Sequence, residues 1–315
     1  MFAARIVDAG ELTQDKSQGL RVKVRIGIGL GRGSSGLDGL DQLCDAIVSN
    51  GFDSLWLSEV LTGAAMDPLI GLGVAAARFP TLKIGTTMLA PGRNPVRLAK
   101  SLATLDRLSE GRLLVTLVPG LTEQPERDAI GVEVKRRGEH LDELLPLLRR
   151  LLSGDAVSYE GPLGRFSDVT ISPTPVQEPL EFWLGGMVRS SLIRCGRLAD
   201  GWLPSFCAVE EAVAGRKIID EAAEDAGRSI DPEHFGVSIA YLARNDAAGE
   251  AALQARRNTR AGSAPIPVGL PALRATLEGF IEAGFSKFVL RPLVAPGSWS
   301  EELTDLVEAV GALQS

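Results

Sequence analysis

The sequence predicts an α/β protein, a single (β/α)8 TIM barrel with insertions, and three observations carry that prediction. Eight short β-favouring runs recur along the chain, and a segment of helical period follows each. The connections between them are mostly short, and the strands are apolar on both faces, as in parallel sheets covered by helices. Eight parallel strands then close most economically into a ring, which leaves no edge to protect.

The clearest unit spans residues 82–118. Residues 82–89 read as a strand, apolar except for the pair Thr86–Thr87 near its end. Pro91 and Gly92 break it, Asn94 stands as an N-cap, and Pro95 takes the first helical position, where a missing N–H costs nothing. Leu98, Leu102, Leu105 and Leu108 predict one buried helix face, Gly111 ends the helix, and residues 113–118 form the next strand.

The other elements follow in order. The first strand covers residues 24–30, and a helix is expected over 37–49. Between them Gly31, Gly33 and Gly36 match the G-x-G-x-x-G spacing of dinucleotide folds. In that motif the helix begins inside the glycines, whereas Ser34, Ser35 and Asp38 look like caps, so a loop over the active site is the preferred reading. Asn50–Gly51 closes the helix, residues 54–59 form the second strand, and Asp67–Pro68 starts an alanine- and glycine-rich helix ending near Phe79–Pro80. Residues 121–134 are polar and unperiodic, an insertion on the ligand face, before a charged helix over 135–152 that Pro146 should kink. Residues 153–180, with Tyr159, Gly161 and several prolines, predict hairpin pieces inserted between strands four and five. Strands 182–184, 201–203, 237–243 and 287–290 follow, with helices up to 198 and over 209–226, 247–257, 271–283 and 301–313.

A chain of 315 residues with 45% hydrophobic and 23% charged residues falls among soluble globular proteins, at a length one barrel can fill. Residues 1–20 read as an N-terminal extension and 21–315 as the barrel. The extension carries acids and no apolar core, unlike a signal peptide. A net charge of −7 with no basic run gives no support to nucleic-acid or anionic-membrane binding. Cys44, Cys195 and Cys207 lack metal spacing and read as reduced, buried thiols of a cytoplasmic protein. No metal-ligand cluster is visible. His140 reads as a surface helix residue, and His234 falls at the barrel end opposite the ligand face.

Strand ends hold the candidate functional residues, because α/β folds bind ligands there. Ser58 and Glu59 end the second strand and Thr86–Thr87 the third. Glu59 could pass a proton or bond to a ligand in an apolar mouth; equally it could cap the following loop or join a salt bridge. Gly185–Gly186, between a strand and a helix, could hold a phosphate on backbone N–H groups or simply turn the chain. Arg93 and Arg291 are left open between ligand contacts and rim ion pairs.

The blocks GFDSLWLSE, IGTTMLAPGRNPVRLAKSLATLDRLSEGRL, RRGEHLDELL, PLEFWLGG and LADGWLP resemble, in order, the bacterial luciferase-like family of flavin- and deazaflavin-dependent oxidoreductases. The part around Asn94–Pro95 most resembles the branch that uses coenzyme F-420. The resemblance implies a tricyclic ring in the barrel mouth, with Ser58, Thr86, Thr87 and Met88 at the ring and a cis peptide at Thr87–Met88 propping it. It implies a close backbone approach at Gly120, and phosphate contacts from Gly185, Gly186 and the Ser205 hydroxyl. Relatives that oxidise sugar phosphates carry a histidine where this chain has Val60 and a glutamate where it has Leu121, so a more apolar substrate is expected. The expected activity is hydride transfer between coenzyme F-420 and a small organic substrate, with Glu59 as the catalytic candidate. The alternatives are a monooxygenase using reduced FMN and oxygen, or a non-catalytic flavin-binding barrel. The expected partner is a small-molecule substrate, with a homodimer left open.

Overall fold

The computed structural model describes residues 22–31, 34, 36–257 and 266–315. Residues 1–20 and Gly33 and Ser35 of the glycine-rich loop lie outside them.

Eight parallel strands form the barrel: β1 (Arg25–Gly29), β2 (Ser54–Ser58), β3 (Lys83–Leu89), β4 (Leu113–Val118), β7 (Phe182–Leu184), β8 (Gly201–Trp202), β9 (Gly236–Tyr241) and β10 (Lys287–Pro292). Their order is β8-β7-β4-β3-β2-β1-β10-β9, and two isolated bridges, Trp202 to Phe235 and Ser205 to Ser238, nearly close the ring. The insertion between β4 and β7 carries an antiparallel hairpin, β5 (Val157–Gly161) and β6 (Gly164–Val169), where the prolines and Tyr159 predicted one.

The helices are α1 (Leu40–Ser49), α2 (Pro68–Arg78), α3 (Pro95–Leu108), α4 (Glu126–Ala129), α5 (Arg137–Leu152), α6 (Arg189–Leu198), α7 (Val209–Asp225), α8 (Ala247–Arg257), α9 (Leu270–Glu282) and α10 (Trp299–Val310). Local signals set their starts. Asp67 accepts from the N–H groups of Leu69 and Ile70, and Asn94 from that of Arg97, which satisfies donors that the first helical turn leaves open. Neither Ser34 nor Asp38 caps α1, which begins after Gly39 at a left-handed φ of 91° with no side-chain cap. Leu108 also departs from expectation and is 57% exposed. Asp106 is the buried residue of that turn: it accepts from the N–H groups of Val176 and Gln177 and from Gln177 Nε2, tying α3 to the end of the insertion.

Two apolar layers result. The larger lies between strands and helices. The second, made of Trp56, Trp183, Leu203 and Val289 with Leu114 against them, fills the lumen. Two glycines make room for its indoles: a Cβ on Gly85 would come within 2.4 Å of Trp56, and one on Gly201 within 2.4 Å of Trp183. The three cysteine thiols are buried, and desolvation raises all of them, Cys44 and Cys207 to about 12.

At the amino-terminal end of the strands the buried Lys287 ammonium meets Asp53, which also accepts from Lys83 at 2.9 Å. Burial alone would raise the Asp53 carboxyl, but the charge and hydrogen bond of Lys287, with help from Lys83, bring it down to about 2. Burial likewise pulls Lys287 down to about 8 against the attraction of Asp53. A carboxyl depressed in the folded state adds stability above its unfolded value of about 3.9 and loses it as pH falls toward the folded value. Asp53→Asn is therefore expected to cost about 3–5 kcal/mol near neutral pH by stranding the Lys287 charge. It should also flatten the acid loss between about pH 4 and 2. Urea titrations across that range check both, and a wild-type pH dependence in the variant would show that Asp53 does not govern it.

Candidate functional site

The carboxyl ends of the strands form the mouth. Lumen-facing positions there are Ser58, Thr87, Thr116, Val118, Ala240 and Arg291, and all but Thr116 are half-buried. Strand alternation separates the predicted ring contacts. Thr87 faces the lumen, but Thr86 and Met88 share the face of Ile84, in the layer under the helices, and both are fully buried. This corrects the grouping of Ser58, Thr86, Thr87 and Met88: from Thr86 and Met88 only backbone can reach a ligand in the mouth. The cis bonds among the described residues are Gln124–Pro125, Ser172–Pro173 and Glu178–Pro179, so the cis bond expected at Thr87–Met88 is not found. The register Thr87–Thr116, Met88–Leu117, Leu89–Val118 runs without a bulge there and leaves no place for one.

Glu59 lies at the rim with its side chain 7% exposed. Arg93 Nη2 donates to its Oε1, the Leu89 N–H donates to its Oε2 at 2.8 Å, and Arg93 Nε donates to the Leu89 carbonyl. Of the roles open in the sequence, the geometry is that of the salt bridge: both carboxylate oxygens are committed, and they anchor the end of β3. Arg93, undecided from sequence, is its partner.

Gly120 has a φ of 84°, and a Cβ there would lie 2.5 Å from Ile130 Cδ1 and 2.9 Å from Leu89 Cδ2. The glycine is thus required by the packing of the insertion over β4. Two buried charges that sequence reasoning missed hold that insertion. Arg137 donates to the carbonyls of Val132, Leu121 and Arg127. Glu126 accepts from the N–H groups of Leu61 and Thr62 and from Thr62 Oγ1, which clasps the loop after β2. Their partners are backbone groups distant in sequence, so no local pattern announces them.

On the other side of the mouth Gly185 packs on Val118, and Gly186, at a φ of 103°, has its carbonyl held by Trp202 Nε1 at 3.1 Å. Helix α6 starts just beyond, with no side-chain cap at Val188. No acceptor among the described residues engages the N–H groups of Gly186, Met187, Val188, Arg189 or Ser190. Ser205, three residues past β8, is half-buried at the β8–β9 seam. A cavity of about 200 Å³ opens along that seam, lined in part by Phe206, Cys207, Ser238 and Ala240. His234 Nδ1 lies 2.9 Å from the Asp200 carbonyl at the opposite end of the barrel. No His, Cys, Asp and Glu cluster fit to hold a metal, and no helix long and apolar enough to cross a membrane, occurs among the described residues.

The clasp at Glu126 has a direct test. Hydrogen bonds to a charged group contribute about 1.5–3 kcal/mol each, so Glu126→Ala should raise hydrogen exchange at the Leu61 and Thr62 amides well above wild type. Unchanged protection would show that the insertion is held by other contacts.

The family model for luciferase-like monooxygenases matches residues 20–287. An uncharacterised protein of Mycobacterium tuberculosis (strain H37Rv) is 31% identical over 178 residues, 55% of this chain and 62% of that protein. The F-420-dependent glucose-6-phosphate dehydrogenase of Nakamurella multipartita is 28% identical over 207 residues, 61% of this chain and 60% of its own. The matched stretches thus span about three fifths of these relatives' length. Among solved structures, an F-420-dependent secondary alcohol dehydrogenase in complex with an F-420–acetone adduct superposes with a TM-score of 0.80 at 19% identity, covering 93% of this chain and 100% of that one. A family match over most of the sequence, on a nearly closed eight-stranded barrel, makes this chain a member of the luciferase-like monooxygenase family.

Proposed function

We propose that the protein is an oxidoreductase that moves hydride between the deazaflavin coenzyme F-420 and a small organic substrate of apolar character. The observation that carries this reading is the uncapped start of α6 behind Gly186, a set of unengaged N–H groups at a helix N-terminus beside the mouth. Those groups suit the coenzyme's phosphate, and Ser205, on the strand neighbouring Gly185, is the hydroxyl we assign to it. Arg189, exposed in the first turn of α6, puts a cation where a helix ordinarily favours acids, which further fits an anion there. The ring would lie over Ser58 and Thr87, with Gly120 at the far wall. When bound, the deazaflavin supplies the hydride chemistry, and the chain contributes binding, orientation and exclusion of water. Similarity to F-420-dependent dehydrogenases supports the choice of cofactor, and Val60 and Leu121 support an apolar substrate. Glu59 is assigned a positioning role: with Arg93 it fixes the strand end that supports the ring.

Absorbance titration with coenzyme F-420 and with FMN tests the cofactor, and tighter binding of FMN would replace this reading with a flavin monooxygenase. Gly186→Asp should weaken binding of the preferred cofactor sharply, while Gly186→Ala, equally strained at a positive φ but uncharged, should weaken it much less. Equal affinities in both variants would remove α6 from the phosphate site. Glu59→Gln is expected to slow single-turnover oxidation of pre-bound reduced cofactor by less than about tenfold. A loss of about 10²–10⁴ would instead mark it as a general acid or base.

A further inference from the structure

Among the described residues, one cation faces the mouth from the strand ends. Arg291 lies near the end of β10 on the lumen side, two residues after Val289 of the indole layer, and is half-buried. The strand-end positions turned the same way bring hydroxyls at Ser58, Thr87 and Thr116, small apolar groups at Val118 and Ala240, and no carboxylate. The neighbours of Arg291 make room for it. On β9 its register partner is Ala240. On β1 it lies against Gly29, where a Cβ would come 3.0 Å from its Cγ and 3.2 Å from its Nε. Gly29 stands in a regular strand without a positive φ, so the backbone does not demand glycine there. The arginine does. A glycine inside a strand weakens it and marks a close approach, here that of the Arg291 chain along the bare face of β1. Gly27 precedes Gly29 on the same face, its Cβ position taken by Ser54 Oγ and the Trp56 indole. At the level of the mouth β1 therefore puts no side chain between Arg291 and Ser58 of β2.

We propose that Arg291 anchors a carboxylate of the substrate, which makes small carboxylic acids with an apolar body the substrate class. The inference rests on the function proposed above. A guanidinium above an apolar, filled lumen attracts an anion more strongly than one in open water, because less solvent screens it. It offers five donors in a planar fork, so contacts with the surrounding chain still leave donors for a carboxylate, which takes two parallel bonds. A phosphate dianion calls for a second cation, and Arg93 is committed to Glu59. The apolar body has its place across the mouth. There β4 stands opposite β10 in the strand order, and the chain after it brings Leu121. The cofactor's phosphate is assigned to the start of α6, beyond β7, so the carboxylate at β10 belongs to the other reactant. Fixing one end of that reactant orients its reacting carbon toward the ring over Ser58 and Thr87.

Hexanoate and hexanamide share a shape and differ in charge, so titration calorimetry with both tests the assignment, on protein alone and on protein loaded with its preferred cofactor. Wild type is expected to bind hexanoate about tenfold tighter than hexanamide. Arg291→Met should erase that preference by weakening hexanoate alone, with cofactor affinity at the wild-type value. Arg291→Lys, a point charge without the fork, should keep part of the preference. A wild type that does not prefer hexanoate overturns the inference, as does a preference that survives in Arg291→Met. Cofactor affinity that falls together with that of hexanoate also overturns it, because the guanidinium would then serve the cofactor. Arg291→Gln takes the place of Arg291→Met under the same criteria if the methionine variant does not fold. If wild type binds neither coenzyme F-420 nor FMN, the proposed function fails and the substrate class fails with it. If a cofactor binds and hexanoate is not preferred, only the carboxylate anchor fails.

Discussion

Two indoles plugging the lumen constrain the rest of the molecule. Trp56 enters from β2 and Trp183 from β7, with β3 and β4 between them, and their volume is admitted only because Gly85 and Gly201 carry no side chain. The plug divides the barrel into two ends with different duties. Below it the Asp53–Lys287–Lys83 cluster is sealed from the mouth and can act only on stability. Above it the lumen is shallow, so any ligand must lie across the strand ends and be held largely by what the loops provide. A luciferase-like barrel with a filled centre thus places its recognition in the rim.

The rim is made rigid with buried charge. There Glu59, Glu126 and Arg137 spend most of their hydrogen-bonding capacity on groups of another segment, and at the opposite end of the barrel Asp106 does the same. Such groups are expensive to desolvate, and they persist where several bonds satisfy them together. The geometry gives each a structural use: Asp106 fastens the hairpin insertion, Arg137 and Glu126 fasten the insertion after β4, and Glu59 fastens the end of β3. A preorganised wall along the β2–β4 side of the mouth suits the proposed reaction, which needs orientation and dryness more than it needs a protein acid.

How much of this was legible depended on whether the cause was local. The β3–α3 unit could be read residue by residue because its signals, Asn94, Pro95 and Gly111, act within a turn of where they stand. The eight strands were legible because period and punctuation recur. The start of α1 was misplaced because Gly39 at a positive φ, not a side chain, sets it. Leu108 was assigned to the core, and buried Asp106 went unnoticed, because the helical period cannot say where a distant insertion will pack. Thr86 and Thr87 were grouped although neighbours on a strand face opposite ways; that alternation was present in the sequence. The cis bond at Thr87–Met88 came from resemblance alone, and the regular β3–β4 register does not bear it out.

The distribution of protons follows from the same geometry. Hydride transfer to or from a carbonyl or alcohol carbon, as the proposed function requires, must be matched by a proton at the oxygen. Neither histidine serves: His140 lies on α5, outside the lumen, and His234 at the opposite end. At the positions where the resemblance to sugar-phosphate-oxidising relatives implies a histidine and a glutamate, the chain has Val60 and Leu121, and the rim carboxylates beside them, Glu59 and Glu126, are each tied on both oxygens. The polar groups left facing the mouth are hydroxyls, which relay protons but are poor sources of them, and the Arg291 guanidinium, which keeps its proton. On this reading the proton originates in the substrate or in water, and the protein's contribution is to hold the reacting carbon and oxygen where such a transfer can occur. That division favours substrates whose own chemistry makes the proton available over those that depend on a dedicated protein base.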